Sequence, residues 1–314
     1  MADVFTGATS AAGSGQLTNQ VLTAYQRNAM FALREGVIFD QFAKVKPGNL
    51  TSPGNPINFL FWDDMSAATT ALTETVDVDA VGLSDSLVAV TPAEYGNAVL
   101  LTIRLRTDDF LIGFDPDVSN LLNYNMVDTI DTLARTAIDA GGTAVPHTAT
   151  AETDITASDD ITVALVRQQR AALRKASVMT WGSSYGAVIH PDVAYDLKSE
   201  TGDGSWTAAA QYSDVSRIWN DEIGTYAGVR FIESPRAKIN TDGGASSVDT
   251  YTTYFFGQEF LAKAESIAPH MVLGPVTDKL MRFQPLGWHM YAGWKVLRSS
   301  ALRRLITAST IGSN

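Results

Sequence analysis

Hydrophobic residues along this chain recur at two spacings, every fourth residue and every second, and the spacing switches several times. Val118, Leu122, Met126, Ile130, Ala134 and Ile138 stand four apart and lay one apolar stripe along a helix. Asp115 and Pro116 suit a cap and a first helical position, and Gly141 ends the run. The predicted helix, residues 116–140, is about 25 residues and about 37 Å long at 1.5 Å per residue. Val21, Tyr25, Ala29 and Leu33 predict a second helix over 18–35, stopped at Gly36. Residues 160–175 predict a third, and the Ala-, Ser-, Thr- and Gly-rich residues 1–17 read as a flexible arm.

The period-two signal predicts the strands. Residues 37–45 look extended. Pro47, Gly48, Pro53, Gly54 and Pro56 then break the chain, and an apolar run follows at 57–62. Residues 76–81 alternate Val and Asp, so 47–92 reads as a long two-stranded hairpin with the return strand at 76–81. A hairpin alone is marginal in water, so this one needs a surface to lie on. Val99, Leu101, Ile103 and Leu105 share one face of a strand over 97–106. Residues 185–236 give strand, helix, loop, helix, tight turn and strand. Residues 242–247 form a loop tip, 251–256 a strand and 259–263 a short helix. Trp288, Met290, Ala292, Trp294 and Val296 mark one face of a long closing strand, followed by a short basic stretch at 302–306. Helices and strands mix without strict alternation, which predicts an α+β fold.

Composition narrows the chemistry. At 314 residues the chain can bury a sizeable core. It has no cysteine, which excludes disulfides, thiolate metal sites and cysteine nucleophiles. No basic leader with an apolar run precedes the pattern, and no apolar stretch approaches the roughly 20 residues of a membrane span, so the expectation is a protein made in a cytosol. With 34 acidic against 23 basic residues the net charge is −11, which disfavours tight, sequence-neutral nucleic-acid binding. The charge is unevenly spread. No Lys or Arg lies between Lys46 and Arg104, while Asp63, Asp64, Glu74, Asp77, Asp79, Asp85 and Glu94 do. No Asp or Glu follows Asp278, while Lys279, Arg282, Lys295, Arg298, Arg303 and Arg304 do. These two sets can pair within a chain or between copies, or each can be an independent solvated face.

Several catalytic patterns fail on context. Residues 182–186 (GSSYG) match the G-x-S-x-G nucleophile elbow, but an elbow needs a strand before the serine and a helix after it. Here a predicted strand follows Ser184. His147, His190, His270 and His289 show no metal-ligand spacing, and His190 fits a packed or capping role. Asp77 and Asp79 resemble the start of a calcium loop, but Val81 stands where the next oxygen ligand belongs. No catalytic, cofactor or metal set is assigned. Of the six tryptophans, Trp219 and Trp294 read as core, and Trp62, on the thin hairpin, as an interface residue.

Residues 186–197 (GAVIHPDVAYDL), 221–235 (DEIGTYAGVRFIESP) and 287–296 (GWHMYAGWKV) resemble major capsid proteins of tailed bacteriophages with the Hong Kong 97-type fold. The resemblance implies an N-terminal arm at 1–36 and an extended loop at 47–92 that lies over a neighbouring subunit. It implies a peripheral domain from 37–46, 93–141 and 276–314, with the long spine helix, and an axial domain at 142–275. It further implies self-assembly into pentamers and hexamers of an icosahedral head around double-stranded DNA, without specific DNA binding. Trp62, Asp63, Asp64, Glu74, Asp77 and Asp79 would form the loop side of the interface. Arg282, Lys295, Arg298, Arg303 and Arg304 would form its basic partner surface. Some relatives cross-link through a lysine of the extended loop; residues 47–92 contain none, so that route is closed. The fold-like pattern begins near residue 18, which leaves no room for a fused scaffolding segment and implies a separate scaffolding protein. A portal, and noncovalent contacts or a decoration protein, complete the expected partners; the expected location is the virion capsid, and the host cytoplasm during assembly. An encapsulin-like compartment holding cargo enzymes shares the fold and is the alternative. A hydrolase using Ser184 is the remote one.

Overall fold

The structure, a computed structural model, describes residues 38–47, 56–62, 65–72, 74, 75, 77, 80–102, 114–200, 224–275, 278–280 and 282–311. In chain order the strands are β1 (Lys44–Pro47), β2 (Ile57–Trp62), β3 (Asp85–Val90), β4 (Ala93–Thr102), β5 (Thr143–Pro146), β6 (Tyr185–Ile189) and β7 (Thr225–Tyr226). They continue with β8 (Val229–Glu233), β9 (Ile239–Asn240), β10 (Thr250–Phe256), β11 (Leu261–Leu273), β12 (Phe283–Val296) and β13 (Leu302–Thr307). The helices are α1 (Phe114–Ala140), α2 (Val163–Lys175) and α3 (Pro191–Ser199). Two compact units emerge. The first takes Glu94–Ile130 and Ala268–Tyr291; the second takes Val37–Ala93, Asp131–Ile267 and Ala292–Asn314.

The second unit is built on a sheet of order β5-β13-β10-β6-β8-β7, with β9 also on β10. β10 is antiparallel to both β13 and β6, and all seven of its residues are buried. Aromatic and β-branched residues suit such a strand, covered on both faces. Tyr254 meets Phe39 edge-on at 5.3 Å, Phe255 meets Phe231 at 6.1 Å, and Phe256 stacks on Phe260 at 4.5 Å. The Tyr254 hydroxyl donates to Asp139 Oδ1 at 2.7 Å, and burial together with that carboxylate holds the phenol protonated. Ala227 and Gly228 both have positive φ, 48° and 75°, and so close the two-residue β7–β8 hairpin.

Side chains fix the ends of the short helices. Thr162 Oγ1 accepts from Leu165 N, and Glu200 Oε2 accepts from Val163 N at 2.7 Å, at the start of α2. His190 caps α3 by accepting from Asp192 N at 3.3 Å, with Pro191 at the first turn. The buried carboxylate of Asp131 accepts from Ile38 N at 2.9 Å and Phe39 N at 2.8 Å. Asp40 Oδ1 accepts from Trp294 Nε1 at 2.7 Å, and Asp40 Oδ2 and Glu265 Oε2 each lie 3.0 Å from Lys263 Nζ. Burial works against the charge on Lys263, but Asp40 and Glu265 outweigh it and raise the ammonium's pKa. Residues 38–40 are thereby fastened within the second unit.

In the first unit, Asn125 of α1 accepts from Trp288 Nε1 at 2.9 Å and from Asn97 Nδ2 at 3.3 Å. Leu101, Leu122, Trp288 and Met290 are buried. Of the four-residue stripe of α1, Leu122, Ile130, Ala134 and Ile138 are buried, and Val118 and Met126 are half-buried.

Several expectations are corrected. The hairpin returns through β3, not through 76–81, because the apolar run Leu87–Val90 matches β2 better than alternating Val and Asp. Residues 259–263 do not form a helix. Leu261 opens β11, whose Ala262 and Ala264 pair in parallel with Lys44 and Lys46 of β1, so sheet pairing overrides helix-favouring residues. The third predicted helix starts at Val163, three residues late, where Thr162 supplies the cap. Residues 37–45 are extended only after a 3-10 turn at Asp40–Phe42. The basic stretch 302–306 is β13, parallel to β5 and antiparallel to β10, so it belongs with residues 143–256 in one sheet. The predicted helices at 18–35 and around 218–223, Trp219, Ile103 and Leu105 lie outside the described residues.

Candidate assembly surfaces

The β2–β3 hairpin has two apolar faces and covers only one of them. Its register pairs Ile57 with Val90, Phe59 with Val88, Leu60 with Leu87 and Trp62 with Asp85. Side chains alternate across a strand, so Ile57, Phe59, Phe61, Val88 and Val90 share the inner face. That face packs on Ala262, Ala264 and Leu297, and Phe59 and Val90 keep only 5% and 1% of their surface. Two lysines fasten the hairpin backbone: Lys46 Nζ donates to Asn58 O at 2.7 Å, and Lys295 Nζ donates to Ala89 O at 3.0 Å. Lys46 also sits 5.4 Å from the centre of the Phe59 ring.

The outer face carries Leu60, Trp62 and Leu87, which are 51%, 67% and 57% exposed. Burying one large apolar side chain is worth about 1.5–3 kcal/mol, so this cluster is expensive to leave in water. Beyond it Met65, Leu72, Val81 and Leu83 are exposed as well. The hairpin is thus finished on one side and apolar on the other, and exposed apolar patches larger than a few hundred Å² are uncommon on lone soluble chains.

Asp63, Asp64 and Asp79 lie outside the described residues, and Glu74 and Asp77 are exposed. Lys295, expected on a surface offered to another copy, reaches the hairpin of its own chain. Arg282 Nε donates to Asp278 Oδ2 at 2.6 Å, and this bond holds the Asp278 carboxyl below its usual range. Arg303 is half-buried in β13, with Nε donating to Gln169 Oε1 at 3.0 Å, and neighbouring Arg304 is half-buried too. Arg298 is exposed. Leu60 and Leu87 were not singled out by sequence. The signal was there, because residues 57–62 place apolar groups on both faces where a solvent-facing strand would place polar ones.

The catalytic patterns gain no support from geometry. Ser184 sits in a turn bridged to Trp181, and β6 rather than a helix follows it. His190 is occupied as a cap, and burial outweighs Asp192 and Glu233 in lowering its pKa. Among the described residues no three of His, Asp and Glu converge as a metal set.

The model of the phage capsid protein family matches residues 85–294, two-thirds of the chain. A search of curated protein sequences returns no match. Among solved structures, the capsid of Ralstonia phage GP4 aligns with TM-score 0.73 at 13% identity, covering 96% of this chain and 98% of the other. The cyanophage Pam1 capsid aligns with TM-score 0.71 at 16% identity, covering 98% and 100%. The capsid of Helicobacter pylori phage KHP30 aligns with TM-score 0.67 at 12% identity, covering 96% and 100%. These likenesses establish a Hong Kong 97-type fold. The chain belongs to the phage capsid protein family, as a major capsid protein that forms the shell of the phage head.

Proposed function

We propose that the chain assembles into rings of five and six around the symmetry axes of an icosahedral head that encloses double-stranded DNA. The observation that carries this reading is the exposed Leu60, Trp62 and Leu87 face of a hairpin whose other face is already buried. An extended loop at 47–92 lying on a neighbouring copy gives that face its burial. We assign the axial role to the sheet formed by residues 143–256 together with 302–307. The peripheral role goes to the long helix α1 with β4 and the outer parts of β11 and β12. Residues 1–36 act as an arm, and a separate scaffolding protein and a portal serve assembly in the host cytoplasm.

The net charge of −11 favours packaged DNA that moves against the inner wall rather than adhering to it. No catalytic role is assigned, since Ser184 precedes a strand and His190 is committed to capping. Electron microscopy of purified particles, with analysis of their nuclease-protected contents, tests the reading. Closed icosahedral shells containing DNA are expected. Shells of the same fold filled with an enzyme cargo would favour the compartment alternative, and particles that never close would overturn both.

A further inference from the structure

We propose that the basic stripe of α2 carries the phosphate backbone of the enclosed duplex DNA, which puts this face of the second unit on the inner wall of the shell. The inference rests on the reading that the shell holds double-stranded DNA, and it names the surface that touches it.

The chain as a whole is acidic, yet α2 is not. Its 13 residues include Arg167, Arg170, Arg174 and Lys175 and no Asp or Glu. The arginines stand three and four residues apart, so they line one side of the helix. Arg167 and Arg170 are braced over the β7–β8 hairpin. Arg167 Nη2 donates to Tyr226 Oη at 3.4 Å, and a Cβ on Gly228 would come within 2.8 Å of the Arg170 guanidinium. Gly228 thus leaves room for that guanidinium to lie against the turn. Arg303, bonded to Gln169 of the same helix, adds a further positive charge. At the C-terminal end, Arg174 opens onto a cavity of about 770 Å³ lined also by Ser177, Thr180, Ser183 and Gln258. These are neutral hydrogen-bonding groups, and among the described residues no carboxylate lines the cavity.

Spacing and composition select the ligand. From Arg167 to Arg174 the helix rises about 10 Å, a length in which one strand of a duplex presents about three phosphates. The guanidinium fork matches phosphate oxygens. Arg167, Arg174 and Lys175 are exposed, and the other exposed residues of α2 are Ala164, Gln168 and Ala171. The helix therefore offers no large apolar side chain to the core of a protein interface. Phosphate contacts need no such core, and they carry no sequence information, which suits DNA of any sequence. Three contacts per copy make a weak site, with affinity expected to fall about fortyfold from about 50 to 200 mM salt. Such a contact breaks and re-forms, which agrees with DNA that moves against the wall.

A labelled duplex of mixed sequence, titrated with full-length subunits at several salt concentrations, tests this. The parent is expected to show a log–log salt slope of about −2.7, at about 0.9 per phosphate contact. Arg167→Gln with Arg174→Gln is expected to bring the slope to about −0.9. Lys279→Gln with Arg282→Gln, in the first unit, is expected to leave it unchanged. Should Arg167→Gln unsettle the fold, Arg174→Gln alone, at an exposed position, is expected to take about 0.9 from the slope. A parent slope kept by the α2 variants, or reduced equally by the Lys279→Gln/Arg282→Gln control, overturns the inference. Met179, 71% exposed beside the same cavity, marks the competing occupant, a protein partner. Shells lost with Met179→Ser, while the arginine changes leave DNA binding untouched, would assign the face to that partner instead. Particles without DNA would overturn the underlying reading, whereas DNA-filled particles with an unchanged slope overturn only the role of α2.

Discussion

β10 and the β2–β3 hairpin are both rich in large apolar residues, yet they are finished differently. β10 lies between β13 and β6, with every residue buried by its own chain. The hairpin buries Phe59 and Val90 on Ala262, Ala264 and Leu297, and leaves Leu60, Trp62 and Leu87 in solvent. The first is the interior of a folded subunit. The second is half an interior, and on the function proposed above its other half is supplied at assembly. Substitutions in the two places therefore act on different equilibria, subunit folding for one and shell closure for the other.

The largest effect is expected at β10. Phe255→Ala removes a fully buried ring that meets Phe231, and is expected to cost about 3–5 kcal/mol of subunit stability. Denaturant melts of the isolated subunit measure this; a loss below 1 kcal/mol, by the same cavity argument, contradicts the packing described. Next comes deletion of residues 54–85. The sheet around β10 contains none of them, so the variant is expected to remain folded by circular dichroism while forming no closed shells. Normal particles from it would end the distinction between the two regions.

A smaller effect belongs to Leu60→Ala. Leu60 is exposed in the subunit, so stability is expected to stay within about 0.5 kcal/mol of the parent. Assembly yield, followed by light scattering, is expected to fall. A stability loss as large as that of Phe255→Ala would show that the outer face is already buried. The smallest effect concerns His190. Burial lowers its pKa in the fold, so the unfolded chain takes up its proton first as pH falls through about 6.5. Stability is thus lost on the acid side of that value and is unaffected above it. His190→Asn keeps a capping acceptor without the titration, and its stability is expected to change less between pH 7 and 5. Equal pH slopes would remove His190 from the account.

What was legible in the sequence follows from how local each signal is. The stripe of α1 repeats six times within one element and needs no partner to be seen. β6, α3, β10 and β12 carried similarly local patterns, including Pro191 after a capping His190. The start of β11 is not legible locally, because Leu, Ala, Lys and Glu favour helix and only the parallel pairing with β1 makes them a strand. The return strand is not legible either, because alternation at 76–81 looks stronger than the run at 87–90 until β2 is laid beside it. Trp62 was found by its place on a thin hairpin, whereas Leu60 and Leu87 needed the register.

A reconstruction of the assembled particle at side-chain resolution decides whether a second copy completes the hairpin. Phe59 and Val90 are expected on their own chain, with Leu60, Trp62 and Leu87 of the same hairpin covered by a different copy. An assembled shell in which Leu60, Trp62 and Leu87 still face solvent would contradict it.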